Sequence, residues 1–208
     1  MKNIDDLIES AAELTASGQS KGEIADELNV SKRTASWLVS RSQEANGNSP
    51  TATDTSDIHV DWSTIGKSHT SLFHVGKAMA GVLEETTDDV TVTVGIEKAG
   101  VPLATNVAQQ LETSLAAYAP AKHQWNDEGG DATAGAFSRN FGSIADEPCV
   151  IVDDTITSGT TMRETVEAIR NEGGNPVAGI VLVDKEGVDE IEGVPVYSLV
   201  EVIPVGER

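Results

Sequence analysis

Apolar positions in residues 4–42 recur at helical spacing. Leu7, Ala11 and Leu14 predict a first helix that Gly18 ends. Ser20-Lys21-Gly22-Glu23 has the form of a capping box and predicts a second helix with Ile24, Ala25 and Leu28 facing inward. Asn29-Val30 makes a short turn. Ser31 caps a third helix whose Ala35, Leu38 and Val39 face the same core. Trp37 falls outward in this phase, towards thymine methyls, a partner or a neighbouring element of its own chain. From Gln43 to Asp57 the periodicity gives way to Asn, Gly, Ser, Thr, Asp and Pro, a linker composition.

From Ile58 the pattern alternates between two periods. Leu72, Val75, Met79, Val82 and Leu83 mark a helix face, and Val90–Val94 a strand. Pro102 starts a helix carrying Leu103, Val107, Leu111 and Leu115, and an extended segment begins between Leu115 and Ala121. Cys149–Val152 is a continuous apolar run, expected of a strand covered on both faces. A helix over Met162–Glu172 is stopped by Gly173-Gly174, and Val177–Val183 and Val194–Val202 read as strands. Such alternation predicts βαβ units and a parallel sheet. The expected fold class is α/β: a helical domain over residues 1–43, a linker over 44–57, and a parallel sheet flanked by helices over 58–208.

Composition narrows the setting. The 208 residues carry 34 acidic and 14 basic side chains, a net charge of −20, with the acids spread along the chain. That balance matches cytoplasmic proteins of extreme halophiles, whose dense carboxylates keep the surface solvated; an ordinary acidic protein is the other reading. A single cysteine excludes an internal disulfide and a four-cysteine zinc site. Cys149 is expected to be inert core packing. The amphipathic, acidic start is unlike a signal peptide, and no apolar run reaches the ~20 residues of a membrane span. A cytoplasmic location with no membrane partner is expected.

The candidate chemistry lies after the apolar run. Asp153 and Asp154 are expected where that strand ends. Thr157, Ser158, Gly159, Thr160 and Thr161 follow, with hydroxyls, one glycine and a row of backbone N–H groups opening a helix. Free N–H groups and the helix dipole bind phosphate, and the paired carboxylates can accept hydrogen bonds from vicinal hydroxyls. A sugar phosphate needs both kinds of partner. A generic strand–turn–helix with an N-cap threonine is the alternative.

The run Cys149–Thr161 resembles the phosphoribosyl-diphosphate motif of type I phosphoribosyltransferases: an apolar run, two acids, two variable residues, then Thr-x-Gly-Thr. Gly95–Ala104 resembles the diphosphate-side loop of orotate phosphoribosyltransferases and places Lys98 at that family's lysine, where it would meet a further anionic group. Glu97 beside it would repel a phosphate. Those enzymes carry a mobile basic loop where this chain has Pro120–Pro148, and it neutralises the departing diphosphate. Aligning Asp127-Glu128-Gly129-Gly130 with the family's glycine pair puts Gln124 at the catalytic lysine, Asn126 at the histidine, and Pro120 and Ala121 at two further basic positions. Lys122, His123 and Arg139 remain, against Asp127, Glu128 and Asp131. The resemblance implies a retained sugar-phosphate cradle, dismantled transfer machinery and no catalytic residue.

Residues Ser20–Ser36 resemble the helix-turn-helix of many prokaryotic regulators. That resemblance assigns Ser31, Lys32, Arg33, Thr34, Ser36 and Arg41 to DNA, and no acid stands between Ser31 and Arg41. A helical interaction or dimerisation domain with a basic face is the alternative. The whole chain resembles haloarchaeal orotate-phosphoribosyltransferase-like regulators of glucose and fructose catabolism genes. The family implies promoter DNA, a phosphorylated sugar metabolite and a second copy of the chain as partners, in a homodimer or larger homo-oligomer. The effector is a sugar-degradation intermediate or phosphoribosyl diphosphate, held by Lys98, Asp153, Asp154 and Thr157–Thr161. No cofactor is required; Mg2+ enters only with a diphosphate ligand. The competing reading is an active orotate or purine phosphoribosyltransferase with an accessory DNA-binding domain.

Overall fold

A computed structural model describes residues 4–44, 58–121 and 135–203, without the side chains of Asp5, Lys32, Arg33, Gln43 and Glu44. The chain divides into two compact units between Ser63 and Thr64.

The first unit contains α1 (Ile4–Ala16), α2 (Lys21–Glu27) and α3 (Lys32–Glu44). Gly18, at φ +87°, takes the left-handed turn that ends α1. Both halves of the capping box form. Glu23 N–H donates to Ser20 Oγ at 3.3 Å, and Ser20 N–H donates to the Glu23 carboxylate at 2.6 Å. Asn29, at φ +53°, turns the chain between α2 and α3. Ser31 Oγ then accepts the Thr34 N–H at 3.1 Å. Leu7, Ala11, Ile24, Ala25, Leu28, Val30, Ala35, Leu38 and Val39 form one buried cluster. Trp37 packs partly buried against that cluster, 6.0 Å from the Arg41 guanidinium. Of its three expected environments it takes the one within its own chain. The third helix runs on to Glu44, one residue into the expected linker; residues 45–57 lie outside the described residues.

The second unit contains α4 (Ser63–Gly66, spanning the boundary), α5 (His69–Thr86), β1 (Val92–Ile96), α6 (Gly100–Leu111), β2 (Ser114–Ala119), β3 (Ala136–Phe137), β4 (Pro148–Ile156), α7 (Thr160–Asn171), β5 (Asn175–Asp184), β6 (Glu190–Ile191) and β7 (Val194–Glu201). The strands form one sheet in the order β3-β2-β1-β4-β5-β7-β6. The five inner strands pair in parallel, and the two-residue strands β3 and β6 close the edges antiparallel. The expected parallel sheet flanked by helices is present.

Strand residues alternate between the two faces. Val92, Val94 and Ile96 join Met162, Val166 and Ile169 of α7 in one core. Gly95, of opposite parity, lies against Ala104 and Val101 of α6, where a Cβ would come within 2.8 Å of both. Hence α7 covers one face, and α5 and α6, packed on each other, cover the other. Cys149 is fully buried, and its thiol is pushed up to about 11, chiefly by burial. Among the described residues no helix is long and apolar enough to cross a membrane.

Several boundaries move. The first strand is Val92–Ile96, two residues later than expected, because Val90 precedes the register shared with β2 and β4. The helix after it opens at Gly100, and Leu115 belongs to β2. The short elements α4, β3 and β6 carry too few apolar residues to show a period.

The capping box sets a testable pH dependence. Hydrogen bonds from the Ser20 side chain and then its backbone hold the Glu23 carboxyl below its ordinary 4.5. Folding therefore favours the ionised form. That contribution is complete above pH 4.5 and fades as pH falls through the lowered value. Replacing Ser20 with Ala should cost about 0.5–2 kcal/mol of first-unit stability at neutral pH. Chemical denaturation should show the loss shrinking in acid.

Candidate functional site

The site arises from unequal pairing of β4. On one side β1 accompanies it only as far as Val152, opposite Gly95. On the other, β5 stays with it to Ile156, opposite Asp184. The acidic pair therefore lies within the strand, not at its end as the apolar run suggested. The run Ile180–Asp184 continues to supply backbone partners where β4 itself turns polar. Beyond Val152, β4 presents Asp153, Asp154 and Thr155, all half-buried, along a seam from which β1 has turned away. Asp154 N–H donates to Asp153 Oδ1 at 2.8 Å, and Thr155 Oγ1 to Asp154 Oδ2 at 3.4 Å.

The loop after β1 closes the other wall. It includes a cis Glu97–Lys98 peptide bond. Gly100 is the point of closest approach: a Cβ there would lie 2.5 Å from the Val152 carbonyl oxygen and 3.0 Å from Asp153 Oδ1. This contact brings the exposed Lys98 to the same carboxyl end of the sheet as the two aspartates. Glu97 is tied to β2 and the turn after β3. Its N–H donates to the Tyr118 carbonyl at 2.8 Å, and its carboxylate accepts the Ser138 hydroxyl at 3.3 Å.

Thr157–Thr161 form the floor. Gly159 adopts φ +69° as the N-cap of α7, so Thr160 and Thr161 are the first two residues of the helix rather than of a loop. The expected helix start at Met162 is two residues late; the hydroxyls disguise a first helical turn. The first turn of α7 carries no acid, so the positive end of the helix and its free N–H groups meet the seam uncancelled. Ser158 and Thr160 hydroxyls are 3.0 Å apart. Behind the turn, a Cβ on Gly159 would reach within 2.5 Å of Ile191 Cδ1. The β6–β7 turn is strapped to α7 by Arg163 on the Glu192 carboxylate at 3.0 Å and Arg170 on the Glu192 carbonyl at 2.8 Å.

Lys98, Asp153, Asp154 and Thr157–Thr161 thus lie at the carboxyl ends of the adjacent central strands β1 and β4. Of the residues assigned to DNA, Ser31 and Thr34 cap α3, Ser36 is half-buried and Arg41 is exposed on it, while the Lys32 and Arg33 side chains lie outside the description. Lys122, His123, Gln124, Asn126, Asp127, Glu128 and Asp131 also lie outside the described residues.

Two features escaped the sequence reading. Glu164, one helical turn into α7, accepts both the Tyr118 hydroxyl at 3.0 Å and the Ala121 N–H at 2.9 Å on one carboxylate oxygen. The lone tyrosine in a predicted extended segment was the available signal. Gly135 fits directly against the Tyr118 ring, and the Phe137 ring lies 5.0 Å from it. The second feature is Asp184, which accepts N–H groups from Glu186 and Gly187 at 2.9 Å and from Val188 at 2.6 Å. It shapes the turn beside the buried Lys185.

The sheet order and the strand–turn–helix at Asp153–Thr161 define a type I phosphoribosyltransferase domain. Residues 61–203 match the family model described as phosphoribosyl transferase domain. The orotate phosphoribosyltransferase of Mycobacterium tuberculosis, solved with 5-phospho-alpha-D-ribosyl 1-diphosphate, shares this fold: TM-score 0.54 at 20% identity, covering 70% of this chain and 81% of that one. Over its full length the chain is 60% identical to the whole of the transcriptional regulator GfcR of Haloferax volcanii. It is 58% identical to the Haloarcula marismortui protein of that name, over 99% of this chain and 98% of that one. The chain belongs to this GfcR family of transcriptional regulators.

Tyr118 tests the geometry. Burial, then the Glu164 carboxylate, push its phenol well above the ordinary 10.0. The folded state therefore keeps the proton, and its stabilising contribution is complete below pH 10.0 and declines above it. Tyr118→Phe should cost about 1 kcal/mol near neutrality and flatten the alkaline decline of the denaturation midpoint. Gly100→Ala should cost about 1–3 kcal/mol, since the added methyl meets backbone.

Proposed function

We propose that this chain is a DNA-binding transcriptional regulator of sugar-catabolism genes, and that its phosphoribosyltransferase-like unit senses a phosphorylated metabolite without turning it over. One observation carries the reading: an α3 with no acid before its last residue, Glu44, and an α7 with no acid in its first turn occur in one chain of net charge −20. Both elements suit anions that the rest of the molecule repels.

The effector's phosphate would sit on the N–H groups at the start of α7, with the Ser158, Thr160 and Thr161 hydroxyls completing its shell. Asp153 and Asp154 would accept hydrogen bonds from ligand hydroxyls. Lys98 would meet a second anionic group, a carboxylate or another phosphate. The two half-exposed carboxylates also suit the water shell of a magnesium ion, which would neutralise part of a diphosphate's charge; a monophosphate needs none. A sugar-degradation intermediate such as 2-keto-3-deoxy-6-phosphogluconate offers one phosphate, hydroxyls and a carboxylate. Phosphoribosyl diphosphate is the second candidate. Gln124 and Asn126, at the aligned positions of the enzyme's lysine and histidine, hold no positive charge for a departing diphosphate.

On the DNA side, the N-terminal residues of α3 would enter the major groove, and a homodimer would read two half-sites one helical turn apart. Different effector affinities of the DNA-bound and free forms would couple the two sites reciprocally.

Titrating the purified protein with 2-keto-3-deoxy-6-phosphogluconate, ribose 5-phosphate and phosphoribosyl diphosphate should raise the melting temperature with at least one. Ligand at 100 times its Kd should add about 2.7 kcal/mol. Asp154→Asn and Gly159→Val should each abolish the shift; persistence in both variants would place the ligand elsewhere. Turnover of phosphoribosyl diphosphate with orotate or a purine at ordinary enzyme rates would decide for the transferase. A Lys32→Ala/Arg33→Ala double variant should lose promoter binding in high salt, and unchanged binding would refute the placement of α3.

A further inference from the structure

Acids are absent from a second exposed surface. Between Asp61 and Glu84 the chain has no carboxylate side chain, the longest such interval in a sequence with 34 acids. It does carry Lys67, His69, His74 and Lys77, all exposed. Most of this interval is α5, an 18-residue helix. Its buried face is Gly76, Met79, Ala80 and Leu83. Thr70, His74, Lys77 and Gly81, spaced four, three and four residues apart, make the opposite stripe. Nothing lies within 4 Å of where a Cβ on Gly81 would be, so the stripe is open there. The neighbouring α6 has no acid either over Gly100–Leu111. The helix on the other face of the sheet differs, with Glu164 and Glu167 within Thr160–Asn171.

Helix stability does not explain this distribution. Macrodipoles favour acids in the first turn and bases in the last. The first turn of α5 has no acid and its last turn no base; instead Lys67 and His69 stand at the N-terminal end and Glu84 and Glu85 at the other. Solubility does not explain it either, since the remaining surface is kept solvated by carboxylates.

We infer that the outer stripe of α5, with Lys77 on it and Lys67 in the turn just before its N-cap Ser68, is a duplex-DNA phosphate-contacting surface of the second unit. The inference rests on the DNA-binding reading above and extends it to a part of the chain outside the three N-terminal helices. The chemistry is complementary: a polyanion meets a face from which repelling groups are missing and to which ammonium groups are added. Such contacts are sequence-independent and position the protein rather than select bases.

Salt dependence measures phosphate contacts directly, because each one lost lowers the slope of log K against log salt by about 0.9. The experiment compares the full-length protein with Lys67→Ala/Lys77→Ala on a random-sequence duplex and on a duplex from upstream of its own gene. The expected result is a slope smaller by about 1.8 on both duplexes. Affinity should fall at least tenfold at the lowest salt, with melting temperature and sedimentation unchanged. Coincident slopes would overturn the inference while leaving DNA binding intact. A variant that sediments as a smaller species and loses affinity only in step with it would also overturn it, marking the stripe as a contact between copies. Failure of the wild type to bind either duplex would overturn this inference and the DNA-binding reading together.

Discussion

One strand keeps company with its two neighbours for different distances, and the candidate site follows from that. The β4 strand loses β1 at Val152 and keeps β5 to Ile156. Had both neighbours stopped together, Asp153 and Asp154 would begin a loop and wander. Had both continued, their side chains would be sealed inside the sheet. One-sided pairing holds the backbone of the acidic pair in register while leaving a seam beside it. Gly100 fixes the width of that seam, since its missing Cβ lets the Lys98 loop settle onto the Val152 carbonyl. Gly159 fixes its floor by turning the chain into α7 at positive φ.

Charge supplies the second constraint. At −20, the molecule repels phosphate at long range, and concentrated salt confines that field to a few ångströms. Recognition of anions then depends on local departures from the mean. Backbone N–H groups are the economical device, because they bind phosphate without adding a cation that neighbouring carboxylates would neutralise. The absence of acids from the first turns of α3 and α7 belongs to the same logic.

Much of this was legible in the chain itself. Periodicity located the three N-terminal helices and their core, and the capping box was readable from Ser20 and Glu23 alone. The parallel sheet followed from alternating periods. The strand–turn–helix of the candidate site was legible because acids, glycine and hydroxyls stand at fixed offsets in one segment. What stayed hidden depends on partners distant in sequence. The extension of β4 through its acids reflects β5 on its flank. Glu164 looks like any exposed helical glutamate until β2 brings Tyr118 and Ala121 against it. Trp37 needed the real helix packing, because an ideal helical phase cannot tell a half-buried indole from an outward one.

The shared acceptor at Glu164 ties the end of β2 and the residue beyond it to α7. Ala121, Tyr118 and Gly135 stand on either side of residues 122–134, and all three are fixed by contacts among themselves or with α7. Both flanks of residues 122–134 are thus anchored by groups outside that segment: α7 holds Tyr118 and Ala121 on one side, and the Tyr118 ring receives Gly135 on the other.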